Sequence, residues 1–295
     1  MTIGEKIKKL RTDKLMSQNE LAGSEITRNM LSQIEHGSAM PSLSTIKYIA
    51  SRLNVSPGFL LADDEDERLY LKGAVIDNIK KAYVSKHFAL CYDMCKNLDW
   101  SDEEITLILA ESSLRVGIDE FRGGNLRLAS QYLDEAVSFC EQSIYNTDII
   151  AAEAASYFSY IELVSPSITS SSFDELQDNT VLLKNEFSVY SGIMCEAEQG
   201  GWDEISHLYE RVSLLDEESS YLLHVRARSA MNNGDYAGAH EMLRELLYTE
   251  KYDIPQPMLY FVLGDIELCC KEIDDFKGAY EYSASKMSLL QKLIS

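Results

Sequence analysis

Four side chains with hydrogen-bonding ends, Arg28, Asn29, Ser32 and Gln33, stand close together in Thr27-Arg28-Asn29-Met30-Leu31-Ser32-Gln33-Ile34-Glu35-His36-Gly37. In a helix, at about 100° per residue, they share one arc of roughly 140°, while Met30, Leu31 and Ile34 take the other side. An arginine fork matches guanine O6 and N7, and an asparagine or glutamine amide matches adenine N6 and N7. The arc therefore suits the reading of base edges in a major groove. Taken alone, it is equally compatible with a solvated helix face. Thr27 can cap this helix and Gly37 can end it.

The flanking elements must position that arc. Ile3, Ile7 and Leu10 at helical spacing, with Lys6, Lys8, Lys9 and Arg11 around them, predict a basic amphipathic first helix. Ser17-Gln18-Asn19-Glu20 reads as a capping box opening a short second helix. A fourth helix over 42–53 is predicted to bury Leu43, Ile46, Ile49, Ala50 and Leu53, and Ser56-Pro57 is a cap followed by proline at the first helical position. Ser44 and Lys47 can steady phosphates, which positions a module without reading sequence.

Charge divides the chain at the same place. The net charge is −21, yet residues 1–62 hold eight Lys/Arg against five Asp/Glu, leaving 19 against 43 for the rest. A small basic unit on an acidic body suits contact with phosphates at one end only. The run Ala62-Asp63-Asp64-Glu65-Asp66-Glu67 bounds the basic unit, which predicts domains at 1–62 and 70–295 joined by an acidic linker at 63–69. No stretch approaches the ~20 apolar residues of a membrane span, and MTIGEKIKKLRTDK lacks the apolar run of a signal peptide. A cytoplasmic protein with no membrane partner is expected.

Catalysis finds little support. The five histidines are scattered, and there is no Gly-rich phosphate loop, no His-Glu-x-x-His and no Ser or Cys nucleophile phrase. His207 and Glu210 share a helix face without further ligands, so no metal and no cofactor are expected. Cys91, Cys95, Cys140, Cys195, Cys269 and Cys270 lie in apolar helical patterns, which predicts reduced, buried thiols. Cys91 and Cys95 share a helix face, leaving a redox pair as the weaker reading.

Beyond the acidic run the pattern is helical almost throughout. Short turn phrases recur at Lys86-His87-Phe88-Ala89, Gly124-Asn125-Leu126-Arg127-Leu128-Ala129, Gly200-Gly201-Trp202-Asp203-Glu204, Gly234-Asp235-Tyr236-Ala237-Gly238-Ala239 and Asp274-Asp275-Phe276-Lys277-Gly278-Ala279. Their spacing, near one or two periods of about 34–40 residues, belongs to tetratricopeptide-like helix pairs, about six of them in a right-handed solenoid. Ala129, Ala239 and Ala279 would admit close contact within a pair. The loop Ser165–Ser172 reads as a tolerated insertion or, less favoured, a flap. Counting back from the phrases places Arg115, Arg122, Tyr190, His224, Arg228 and Asn232 on inner first-helix positions, where a solenoid can hold an extended peptide. Local ion pairs are the competing reading for these arginines. The apolar run 287–294 is expected to seal the last pair, the alternative being that it meets a partner subunit.

Ser17-Gln18-x-Glu20-Leu21-Ala22, Leu31-Ser32-Gln33-Ile34-Glu35-x-Gly37, Pro41-Ser42-Leu43 and Ile49-Ala50-x-x-Leu53-x-Val55-Ser56 resemble the phage-repressor (Cro/cI, or XRE) helix-turn-helix family over nearly all of residues 3–61. That resemblance implies a five-helix, λ-repressor-like domain in an all-α protein. It places Gln18 near phosphate and base, puts Arg28, Asn29 and Gln33 at base edges, and implies a structural ion pair between Arg11 and Glu35. The segment between Ala22 and Thr27 is one residue shorter than the family pattern, with Gly23 where a longer helix end is usual. Joined to repeats in about 300 residues, the domain resembles the PlcR-type peptide-pheromone-responsive regulators. That kinship implies a homodimer on a pseudo-palindromic double-stranded DNA operator, with a short signalling peptide in the repeat groove. Two alternatives stay open: repeats that dock a partner protein, and a scaffold that no longer binds DNA.

Overall fold

The computed structural model describes residues 1–62, 64–168, 185–200 and 212–295. Among these residues the protein is all-α, without a strand. The chain divides into two compact units, Met1–Lys81 and Ala82–Ser295.

Five helices build the first part of the N-terminal unit: α1 (Ile3–Asp13), α2 (Gln18–Ala22), α3 (Arg28–Glu35), α4 (Leu43–Leu53) and α5 (Pro57–Leu61). Their starts are set locally. Ser17 accepts from the Glu20 amide at 3.1 Å while its own amide donates to the Glu20 carboxylate at 2.6 Å. Thr27, Ser42 and Ser56 cap the next three helices through their hydroxyls, and Thr2 forms a second capping box with Glu5 that sequence reading passed over. Each such cap satisfies amides the helix cannot bond itself, worth about 1 kcal/mol. Ile7, Leu21, Leu31, Ile34, Ile49 and Leu53 meet in a core sealed from solvent. Leu43, predicted to be buried, is exposed instead: it shares the stripe of Ile46, Ile49, Ala50 and Leu53 but is the first residue of α4, at the end of that stripe and beyond the core.

The shortened turn after α2 is closed by backbone geometry available to glycine. Gly23 sits at φ +58°, and an added Cβ would lie 2.2 Å from the Tyr48 hydroxyl, which donates to the Ala22 carbonyl at 3.0 Å. Arg52 donates to the Glu20 carbonyl at 2.6 Å. Thus α4 takes up the carbonyls at the end of α2, and the missing residue is accommodated without lengthening that helix.

The acidic run does not form an irregular linker from residue 64 onward. Helix α6 spans Asp64–Val84, and the division between compact units falls after Lys81 rather than at 63–69. Acids at a helix start are favoured by the backbone dipole, so a run that looks like punctuation in sequence can open a helix. Residue 63 lies outside the described residues.

The second unit holds α7 (Phe88–Lys96), α8 (Glu103–Gly123), α9 (Leu126–Gln142), α10 (Asp148–Val164), α11 (Glu186–Gly200), α12 (Ser220–Asn232), α13 (Tyr236–Tyr248), α14 (Gln256–Glu272) and α15 (Phe276–Leu293). Successive helices pack on one another from α7 to α10, then α10 on α11, and α12 through α15. Four of the predicted turn phrases share one conformation. Lys86, Gly124, Gly234 and Asp274 each have positive φ, and the residues after them, His87, Asn125, Asp235 and Asp275, have φ near −85° with ψ between 66° and 71°. Each of these second residues donates its amide to the carbonyl five residues back, at 2.8–2.9 Å. This left-handed closure satisfies the last carbonyls of the preceding helix and turns the chain into the next one. Ala129, Ala239 and Ala279 are buried at the crossing, as predicted, and Cys91 fills the same place after Phe88. The phrase around Trp202, residues 169–172 of the long loop, and the His207/Glu210 pair lie outside the described residues.

Candidate nucleic-acid interface and repeat-domain network

On α3 the chemistry-bearing arc faces solvent. Thr27, Arg28, Asn29 and Gln33 are exposed and Ser32 is half-buried, while Leu31 and Ile34 are fully buried beneath them. Ser44 and Lys47 on α4 are exposed as well, the Ser44 hydroxyl lying 2.8 Å from that of Ser42.

Behind the arc lies a buried charge. Arg11 grips Glu35 with two bonds, Nε to Oε1 at 2.7 Å and Nη2 to Oε2 at 3.0 Å, and its Nη1 donates to the Met16 carbonyl at 2.8 Å. The Glu35 side chain is shielded from solvent. Burial alone would push its carboxyl up, but the bonds from Arg11 and Gln18 outweigh this and hold it below its ordinary value. The same bond raises Arg11 further. Gln18 donates to Glu35 Oε2 at 2.8 Å and receives Arg28 Nε at 3.4 Å, so Arg11, Glu35, Gln18 and Arg28 form one chain from α1 to the solvent edge of α3.

Residues 7–60 match the family model described as helix-turn-helix. The N-terminal unit carries a helix-turn-helix domain. No curated protein matches the chain. Among solved structures, PlcR of Bacillus thuringiensis in complex with the peptide PapR7 and DNA is 14% identical, with 99% of this chain and 96% of that chain covered at a TM-score of 0.25. ComR of S. thermophilus, in complex with DNA and its signalling peptide ComS, is 15% identical, with 98% and 99% covered at a TM-score of 0.25. The Streptococcus dysgalactiae SHP pheromone receptor Rgg2 is 15% identical, with 97% and 99% covered at a TM-score of 0.22. In the helix-turn-helix domain of the present chain, α2 and α3 are the two helices around the Gly23 turn, and α3 carries the arc.

The six inner positions read from the repeats fall into four places. Tyr190, His224 and Arg228 come together in one buried network. The Tyr160 and Tyr190 hydroxyls are 3.1 Å apart, the Tyr190 hydroxyl lies 2.7 Å from His224 Nδ1, and His224 Nε2 lies 2.7 Å from Asp265 Oδ2. Arg228 clamps Asp265 through Nε at 2.6 Å and Nη2 at 3.0 Å, and reaches Glu198 through Nη1 at 2.6 Å. Burial depresses His224, with Asp265 opposing only in part, so the ring is neutral at pH 7. Its Nε2–H then donates to the carboxylate and its Nδ1 accepts from Tyr190. Burial pushes Asp265 up, but Arg228 and His224 together hold it below the usual carboxylate range. Burial drives both tyrosines well above their ordinary value, so they remain protonated.

Arg115 is separate, bonded to Glu111 at 2.7 Å and to Glu153 at 2.9 and 3.2 Å. Arg122 pairs with Asp253, and Asn232 stands exposed at the end of α12. Sequence reading missed the partners Asp265, Glu198, Glu153 and Tyr160. Their signal is weak, because each lies 30 or more residues away from the residue it serves.

The inner helix faces pack on one another. The Phe121 ring of α8 meets Phe187 of α11 at 5.1 Å, and Tyr160 of α10 meets Phe261 of α14 at 5.5 Å, both contacts skipping at least one intervening first helix. The groove anticipated from repeat counting is therefore filled with aromatic rings at this level. A crevice of about 700 Å³ does open elsewhere, among Leu247, Gln256, Leu263, Tyr282, Leu289 and Lys292, and none of the six inner positions lines it. The 287–294 run is divided: Leu289 and Leu293 are buried and Met287 is exposed.

Five cysteines are buried and Cys195 is half-buried. The bond with Cys95 pulls Cys91 down to about 7 and pushes Cys95 up, but both sulfurs are shielded from solvent. Among the described residues no group of three or more His, Cys, Asp or Glu could hold a metal, and no helix is long and apolar enough to cross a membrane.

Proposed function

We propose that this protein is a cytoplasmic, sequence-specific DNA-binding transcription regulator, acting as a homodimer whose repeats sense a short peptide. The observation that carries the DNA half is the outward arc Arg28, Asn29 and Gln33 on a helix anchored by Leu31 and Ile34 and braced by Arg11 and Glu35. Arg28 and Gln33 read base edges, with Asn29 and Ser32 beside them. Gln18, Thr27, Ser44 and Lys47 fix the module on phosphates. A two-fold dimer would match paired half-sites one turn apart. The peptide half rests on kinship in sequence pattern and on the repeat architecture. Arg115, Arg122, Tyr190, His224, Arg228 and Asn232 remain its proposed inner-face residues.

The test is selection of duplexes from a randomised DNA library by the full chain, followed by gel-shift titration. Arg28→Ala with Gln33→Ala removes two base-reading side chains, each worth about 1–3 kcal/mol of discrimination, and should weaken the selected site by roughly a hundredfold or more with helical content unchanged. No duplex enriched by the full chain would favour a scaffold that has lost DNA binding, and equal affinity of the variant for a selected site would overturn base reading by Arg28 and Gln33.

A further inference from the structure

The repeat body closes on itself at one seam. The turn between α8 and α9 meets the start of α14 and the end of α15, some 130–170 residues away in the chain. Four contacts mark the seam. Arg122 pairs with Asp253, Arg127 Nε donates to the Ile294 carbonyl at 3.0 Å, and Gly124 at φ +91° leaves room for Leu293 Cδ2 and the Gln256 Cβ, which an added Cβ would approach to 2.9 and 3.1 Å. Leu293 is 2% exposed, so it is an apolar plug in the seam, while Asp253 and Arg127 lie at its wet rim. Behind the seam sit the rings of Phe121, Tyr160, Phe187 and Phe261 and the polar chain from Tyr160 to Arg228.

We propose that the repeat body is a latched ring in which Leu293, Arg127 and Asp253 hold the α8–α9 corner against α14 and α15, and that parting of this seam admits a ligand to the inner faces. The ligand clause rests on the peptide-sensing reading, whereas the latch does not. The physical case is an asymmetry of strength. The rim pairs are solvent-exposed and individually weak, and the buried contact is limited to Leu293 at the rim and a few inner-face contacts behind it, among them Tyr160 on Phe261, whereas the helix pairs on either side are joined along their length. An opening confined to the seam therefore costs less than unfolding any pair, as expected for a local, sub-global motion.

Hydrogen exchange by mass spectrometry on the full chain reads the latch without any ligand. Arg127→Ala with Asp253→Ala should raise exchange at 117–124 and 256–263 by about threefold, and Leu293→Ala by about tenfold or more, with 236–248 unchanged. The dye ANS, which reports exposed apolar surface, should brighten in the same order while far-UV circular dichroism stays constant. Exchange that is unchanged at both seam segments, or that rises equally across all helices of the unit, overturns the latch. If the seam opens as expected but Leu293→Ala leaves affinity for every peptide recovered from a randomised peptide library at the wild-type value, the ligand clause is overturned and the latch stands. If no peptide is recovered by either protein, the peptide-sensing reading fails and takes the ligand clause with it.

Discussion

Replacing Asp265 with alanine should be among the most damaging single changes in the repeat body, and the structure allows the cost to be worked out. The carboxylate accepts three bonds, from His224 Nε2 at 2.7 Å and from Arg228 at 2.6 and 3.0 Å, at a site where both partners are buried. Breaking one side of a buried ion pair costs about 3–5 kcal/mol, because the remaining charge loses its compensation without regaining water. Arg228 keeps one bond to Glu198, whose side chain is 43% exposed and still solvated, so the lower end, about 3 kcal/mol, is expected. Urea unfolding followed by far-UV circular dichroism measures it, read on the transition of the repeat body because the chain has two units and need not unfold in one step. The double change Arg228→Met with Asp265→Leu removes both charges and should cost at least about 1 kcal/mol less than Asp265→Ala alone. A loss below about 1 kcal/mol for Asp265→Ala, or a double variant as unstable as the sum of its singles, would refute the reasoning.

Two further outcomes follow from the geometry. His224 and Asp265 both have folded pKa values below their unfolded ones, so the native state binds fewer protons and stability falls as the pH is lowered. The His224 contribution is lost as pH drops from about 6.5, and that of Asp265 from about 4 downward through its folded value. Melting temperature should therefore decline between pH 7 and 5 and decline again below 4, and a His224→Gln variant that kept the first decline would contradict the assignment. Gly4 lets α1 approach α3: an added Cβ would lie 2.2 Å from the Ile34 carbonyl oxygen, a backbone atom. Gly4→Ala should cost the N-terminal unit about 2 kcal/mol, and wild-type exchange protection in α1 and α3 would show the approach to be adjustable.

The two units differ in how much of them could be read in advance. In the N-terminal unit the deciding interactions are short in sequence. Ser17 and Glu20, Thr27 and Met30, and Ser42 and Thr45 satisfy helix amides within three residues, so cap chemistry and the 3.6-residue period together locate α2, α3 and α4 and turn the Arg28 arc outward. The four repeat turns are legible for the same reason, since a left-handed residue and a bond to the fifth carbonyl back are local events. Leu43 escaped because apolar character does not say which turn of a helix reaches the core.

The pairings between distant residues, by contrast, arise only once the helices are packed together. Arg228 is bonded to Asp265, 37 residues on, a partner that its own helix pattern does not announce. Arg122 meets Asp253 across 131 residues, and Arg127 meets Ile294 across 167. Periodicity reports which face of a helix is inner. It carries no information on whether stacked pairs leave that face open or curl until the faces touch, because the curl accumulates from small rotations at every interface, each set by side-chain volumes far apart in the chain.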